Sequence, residues 1–139
     1  MIINIRKKDV LKGQPLNQGW YKVVVSKVGK AESVGDRIDQ PVTFDFERDD
    51  LKADERDIDY TFYHCVTKGI GFVVSFMAAI LGKPRQTIAD ELESGEGIPF
   101  DFDTCVGKKL QVKVINDEYQ GRINNKIEAF LPYDSEIPL

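Results

Sequence analysis

The chain is short of the residues that do most protein chemistry: among 139 residues there are one histidine, one tryptophan and two cysteines. Cys65 and Cys105 cannot supply the disulfide framework of a small secreted domain. With no C-x-x-C spacing, they form a four-ligand zinc site only by recruiting carboxylates. His64 adjoins Cys65, but neighbouring strand residues point to opposite faces, so the two do not converge on one atom as a thiol and its base must. Core packing or simple exposure is expected for both, and no metal, cofactor or catalytic residue is expected anywhere. Long apolar runs are also missing. The longest, Ile70 to Leu81, spans about a dozen positions and contains Gly71 and Ser75, against the ~20 residues of a membrane-crossing helix. No charged-then-apolar leader precedes the first expected strand, which makes a reducing cytoplasm the expected compartment. There is no internal repeat and no low-complexity tract.

Positive charge is in deficit overall: 19 Lys and Arg stand against 23 Asp and Glu, for a net charge of −4. Spread evenly, that charge would repel the phosphates of a nucleic acid. It is unevenly spread. Residues 1–30 carry a net +6 and residues 106–126 a net +3, whereas residues 31–59 carry −7 and the segments 60–105 and 127–139 carry −3 each.

Periodicity supplies the elements. Residues 1–18 read as a loosely held basic arm, with Arg6-Lys7-Lys8 followed by Gly13, Pro15 and Asn17, although Ile2, Ile3 and Ile5 suit a short edge strand. From Gly19, Tyr21, Val23 and Val25 alternate with Trp20, Lys22 and Val24 in a first strand. A second strand is expected over Val42 to Glu47, with Val42, Phe44 and Phe46 on one face. The charged stretch Arg48 to Asp59 reads as a solvated loop. A third strand, Tyr60 to Thr67, has aromatics of both parities, so both of its faces are expected to be partly covered. Phe72 to Leu81 reads as a buried helix stopped by Gly82 and Pro84, and Gln86 to Glu93 as a second, amphipathic one. Two alternating strands close the order: Leu110, Val112 and Val114 share one parity, Gln111 and Lys113 the other, and Gly121 supplies the positive φ of the turn between them.

Strand, strand, strand, helix, strand, strand is the order of a mainly β, five-stranded OB-fold Greek-key barrel with one or two helices between strands 3 and 4, with an all-β sandwich as the alternative. Three parts follow: the basic arm or edge strand at 1–18, the barrel at 19–132 and an acidic tail at 133–139. In such a barrel the first strand lies beside the fourth, so the two basic segments meet. The residues expected to grip a single strand are the cations Lys22, Lys27, Lys113, Arg122 and Lys126, the amide of Asn124, and the stacking rings of Trp20, Tyr63 and Tyr119. Each stacked base is worth about 1–3 kcal/mol. Asp45 and Glu47, facing the same way, oppose this.

The segments Gly19-Trp20-Tyr21-Lys22-Val23-Val24-Val25, Gly107-Lys108-Lys109-Leu110 and Glu118 to Ile127 resemble the family of phage-encoded single-stranded DNA-binding proteins. The likeness covers most of 19–132 and fades through 48–59. It implies an OB fold, a non-enzymatic role coating or protecting single-stranded DNA in phage replication or recombination, and the cytoplasm of a host cell. The tail Asp134-Ser135-Glu136-Ile137-Pro138-Leu139 is similar to the acidic Ile-Pro-Phe tip of bacterial single-stranded DNA-binding proteins. That likeness implies docking of replication or recombination proteins through Glu136, Ile137, Pro138 and Leu139, with Leu139 in place of phenylalanine. A carboxylate beside an aliphatic side chain offers a basic, apolar pocket two kinds of contact. Self-association is compatible with all of this. Two other classes compete: a Mg-dependent nuclease using the acidic 45–59 region, where Asp45, Glu47 and Asp49 alternate on one face, and a protein-only adaptor.

Overall fold

The computed structural model describes residues 1–11, 14–64, 70–92, 97 and 100–137. In chain order the elements are α1 (Lys7–Leu11), β1 (Gly19–Val28), β2 (Glu32–Val34), β3 (Arg37–Phe46), α2 (Asp49–Ala53), β4 (Asp57–His64), α3 (Ile70–Leu81), α4 (Arg85–Leu92), a 3₁₀ turn (Phe102–Cys105), β5 (Lys109–Tyr119) and β6 (Arg122–Pro132). The strands form one antiparallel six-stranded sheet. Along it lie β4, β3, β1, β5 and β6, and the short β2 continues the line of β1 along the same edge of β3.

Alternation explains the inner face. Tyr21, Val23 and Val25 of β1, Val42, Phe44 and Phe46 of β3, and Leu110, Val112 and Val114 of β5 are all buried. Above them Phe76 of α3 meets Phe62 of β4 at 4.8 Å and Phe130 of β6 at 5.4 Å between ring centroids, and Phe102 stacks on Phe76 at 5.8 Å. These rings join the two ends of the sheet. Among the described residues β4 and β6 share no backbone ladder, so the sheet stays open where a closed barrel would pair them. Helix α3 packs against both edge strands, and Tyr60 and Phe62 reach Phe130 across the seam at 5.5 and 5.6 Å.

The end of α3 and the turn between β5 and β6 follow local chemistry. Gly82 takes φ +67 beyond the helix, and the Lys83 amide donates to the Ala78 carbonyl at 3.0 Å, capping α3 with a left-handed residue. Gln120 and Gly121 both have positive φ (52° and 76°), the signature of a two-residue type I′ hairpin turn. No described helix is long and apolar enough to cross a membrane.

Several expectations from sequence are corrected. The second strand begins at Arg37, because β2 pairs with its first residues and Pro41 is accommodated opposite Thr61 of β4. The third strand spans 57–64 rather than 60–67, and positions 65–67, like Cys65 itself, lie outside the described residues. Tyr63 on its outer face is 51% exposed, so that face is not covered at this position. Helix α3 begins two residues earlier than expected and α4 one residue earlier, and Glu93 is outside the described residues. Within 48–59 the charged run is not a plain loop: Asp49–Ala53 folds as α2 with Leu51 buried in the core, and residues 57–59 open β4 with Ile58 buried.

The arm is not loose at its inner end. Leu16 is only 8% exposed; its amide donates to Asn125 Oδ1 (2.6 Å) and its carbonyl accepts from Asn125 Nδ2 (3.2 Å), so this side chain treats the arm as an extra strand. Arg56 donates to the Gln14 carbonyl at 2.7 Å and Lys7 pairs with Asp54 at 2.5 Å. The basic arm thus lies against the acidic segment. Residues Ile2, Ile3 and Ile5 are exposed and join no strand. Leu16→Ala is expected to cost about 2–5 kcal/mol in urea denaturation, and Ile3→Ala less than about 0.5 kcal/mol. Equal effects would mean that the arm is not part of the core.

Candidate nucleic-acid interface

The same alternation that buries the inner face fixes the outer one. β1 turns Trp20, Lys22 and Val24 outward while β5 turns Lys109, Gln111 and Lys113 outward, and the register sets Trp20 opposite Lys113, Lys22 opposite Gln111 and Val24 opposite Lys109. One indole and three ammonium groups, from segments far apart in sequence, therefore share one face of two adjacent strands. Trp20 and Lys113 are half-buried, and Lys22 and Lys109 are exposed.

The chain returns across this face after β6. Residues 132–135 form a turn closed by the Ser135 amide on the Pro132 carbonyl (3.1 Å). Gln111 holds the turn: its Nε2 donates to the carbonyls of Pro132 (3.2 Å), Tyr133 (3.1 Å) and Ser135 (2.8 Å). Gln111 is consequently 1% exposed although its parity is outward, and its Oε1 has no hydrogen-bond partner among the described residues. The turn places the Tyr133 ring 4.6 Å from Lys22 Nζ and 5.5 Å from Lys109 Nζ. The Tyr133 hydroxyl donates to Glu47 Oε2 at 2.7 Å, and Lys109 pairs with Glu47 Oε1 at 3.1 Å. Burial opposes ionisation of Glu47, but the hydrogen bonds from Tyr133 and Lys109 and the charges of Lys109 and Lys22 outweigh it, so its pKa falls below the ordinary value. The same hydrogen bond, with burial and the charge of Glu47, raises that of Tyr133.

Sequence reasoning missed Tyr133, Lys109 and Gln111 as members of this face. The outward parity of Lys109 and Gln111 was a usable signal; nothing in the pattern linked Tyr133 to Lys22. Other expected residues lie elsewhere. Lys27 follows a bulge near the end of β1. Tyr63 is at the far end of β4, with the Arg37 guanidinium 5.0 Å from its ring centroid and Arg37 bonded in turn to Asp39 at 2.9 Å. Tyr119 (67% exposed), Arg122, Asn124 and Lys126 occupy the part of the hairpin that runs beyond the start of β1. Register alone carries the turn about 17 Å past Gly19, five residues at ~3.4 Å each.

A single basic trough is therefore not formed. Lys113 pairs with Glu128 (3.4 Å) and Lys126 with Asp117 (3.6 Å), while Lys22, Lys27 and Arg122 make no ion pair among the described residues. Such exposed pairs are worth ~0–1 kcal/mol, little enough for a phosphate to compete. The outer face of β3 and β4 is the acidic one: Asp45 stands opposite Asp57, and Thr43 Oγ1 donates to Asp59 Oδ1 at 2.7 Å. No three His, Cys, Asp or Glu side chains among the described residues are disposed to hold a metal, so Asp45, Glu47 and Asp49 build no metal centre. In the tail, Glu136 and Ile137 are exposed, and Pro138 and Leu139 lie outside the described residues.

No protein-family profile matches the chain, and no curated protein matches it significantly.

A carboxylate whose pKa is depressed by folding adds stability above its unfolded value and loses it as the pH falls through the folded one. The stability difference between wild type and Glu47→Gln should thus be full at neutral pH and shrink below the ordinary value of 4.5. Urea midpoints across that range measure it. A difference that grows in acid would contradict the described role of Glu47.

Proposed function

We propose that this protein binds single-stranded DNA without catalysing a reaction, on a sheet that is an open variant of the OB barrel. The observation that carries the reading is the outward row on β1 and β5, where Trp20, Lys22, Lys109 and Lys113 place a ring and three cations on adjacent strands. Ring and ammonium side by side is what a sequence-tolerant single-strand site needs: stacking for the base and counter-charge for the phosphate. The strand order supports the OB assignment, because the long strands run third, second, first, fourth, fifth, with α3 between the third and fourth. The projecting hairpin adds Tyr119, Arg122 and Asn124 as a second contact. The chain's resemblance to phage single-stranded DNA-binding proteins extends the proposal to replication or recombination of phage DNA. The tail from Glu136 onward is proposed as a contact for proteins of those processes.

Fluorescence anisotropy with a labelled oligothymidylate of about twenty nucleotides tests it. Affinity should fall at least about tenfold between about 50 and 200 mM salt and exceed that for duplex of the same length. Lys22→Ala with Lys113→Ala should flatten the logarithmic salt slope by about 1.4, some 0.7 per phosphate contact on a single strand. No binding, salt-insensitive binding or equal preference for duplex would overturn the proposal.

A further inference from the structure

The geometry points to Tyr133 as the principal base-stacking platform of this face, built from the far end of the chain and anchored beside the cationic row before any ligand arrives. The inference rests on the single-strand reading above and names a residue that the strand pattern does not supply.

Three anchors fix the ring. Its hydroxyl is bonded to Glu47 at 2.7 Å, its backbone carbonyl accepts from Gln111 Nε2, and the Pro132 and Ser135 carbonyls on either side accept from the same buried amide. Lys22 and Lys109 rise from adjacent strands of one sheet face, and their ammonium groups lie 4.6 and 5.5 Å from the ring centroid. Tyr133 keeps part of its surface in solvent. A ring fixed at both its hydroxyl and its backbone loses little freedom when a base stacks on it, which is the condition under which stacking converts most fully into affinity. The two ammonium groups beside the ring meet the phosphates that flank the stacked base. Trp20, two residues before Lys22 on the same outward row, provides a second platform on this face. By contrast Tyr119 and Tyr63 stand at opposite ends of the sheet, away from Lys22 and Lys109.

The test uses the full chain and a labelled oligothymidylate. Tyr133→Leu should bind about ten- to a hundredfold more weakly than wild type, with the logarithmic salt slope unchanged because no phosphate contact is lost. Tyr133→Phe, which keeps the ring and loses only the Glu47 bond, should stay within about threefold of wild type, since the hold of Gln111 on the turn remains and a single hydrogen bond contributes little net to binding. In the background Trp20→Phe, Tyr133→Trp should be quenched on adding oligonucleotide, a readout that a purely structural role would not move and that does not depend on how Tyr133→Leu folds. Binding by Tyr133→Leu equal to wild type, or an unquenched Trp at 133, overturns the inference. Tighter binding with a steeper salt slope would also overturn it, because the ring would then be a cover that keeps Lys22 and Lys109 from phosphate. Failure of the wild-type chain to bind at all removes the single-strand reading itself, whereas the other adverse outcomes remove only the platform.

Discussion

The register of β1 on β5 is the constraint from which the rest follows. Val23, Val25, Leu110, Val112 and Val114 have no exposed surface, and sliding either strand by one residue would turn its whole buried set to solvent and its lysines into the core. Burial of this inner set excludes every shift by an odd number of residues, and the observed register puts Trp20 opposite Lys113 and Lys22 opposite Gln111. The outward row is thus a by-product of core packing rather than of attraction between its members. It persists although lysines repel one another, because the hydrophobic term that holds the two strands together is far larger than a few screened charge contacts.

The same economy explains how an anionic chain presents cations. The acidic segment that follows β3 is spent within the molecule: Asp54 takes Lys7 of the arm, and Glu47 takes Lys109 and the Tyr133 hydroxyl. Other carboxylates gather on the outer face of β3 and β4, where Asp45, opposite Val24 of β1, borders the row. The molecule is better described as two faces of opposite character than as one basic groove. Net charge is a poor guide to partners when carboxylates and amines are sorted by strand parity.

Much of this was legible before folding. Strict alternation marked β1, β5 and β6, and Gly82 with Pro84 marked the end of α3; Gly121 marked the hairpin turn, to which Gln120 contributes a second left-handed residue. What escaped has a common physical cause: the signal was non-local. Leu16 is one apolar residue in a polar arm, and only its seat beside Asn125 makes it core. Leu51 sits in a charged run and, as the buried side chain of α2, seats that short helix on the core. Gln111 has the parity of a solvated residue and is buried because a distant turn lies on it. Tyr133 joins the row through that turn, and no window of sequence contains both partners. The placement of Tyr63, Tyr119 and Arg122 away from the row reflects strand lengths, which periodicity fixes poorly because edge pairing, not side-chain pattern, decides where a ladder stops.

The central claim is that single-stranded DNA lies on the outer face of β1 and β5. Backbone amide chemical shifts of the uniformly labelled protein, followed while oligothymidylate is added, locate the contact directly. The account predicts perturbations concentrated on residues 20–24, 109–113 and 133. Perturbations confined to the outer face of β3 and β4, with those three stretches unmoved, would contradict it.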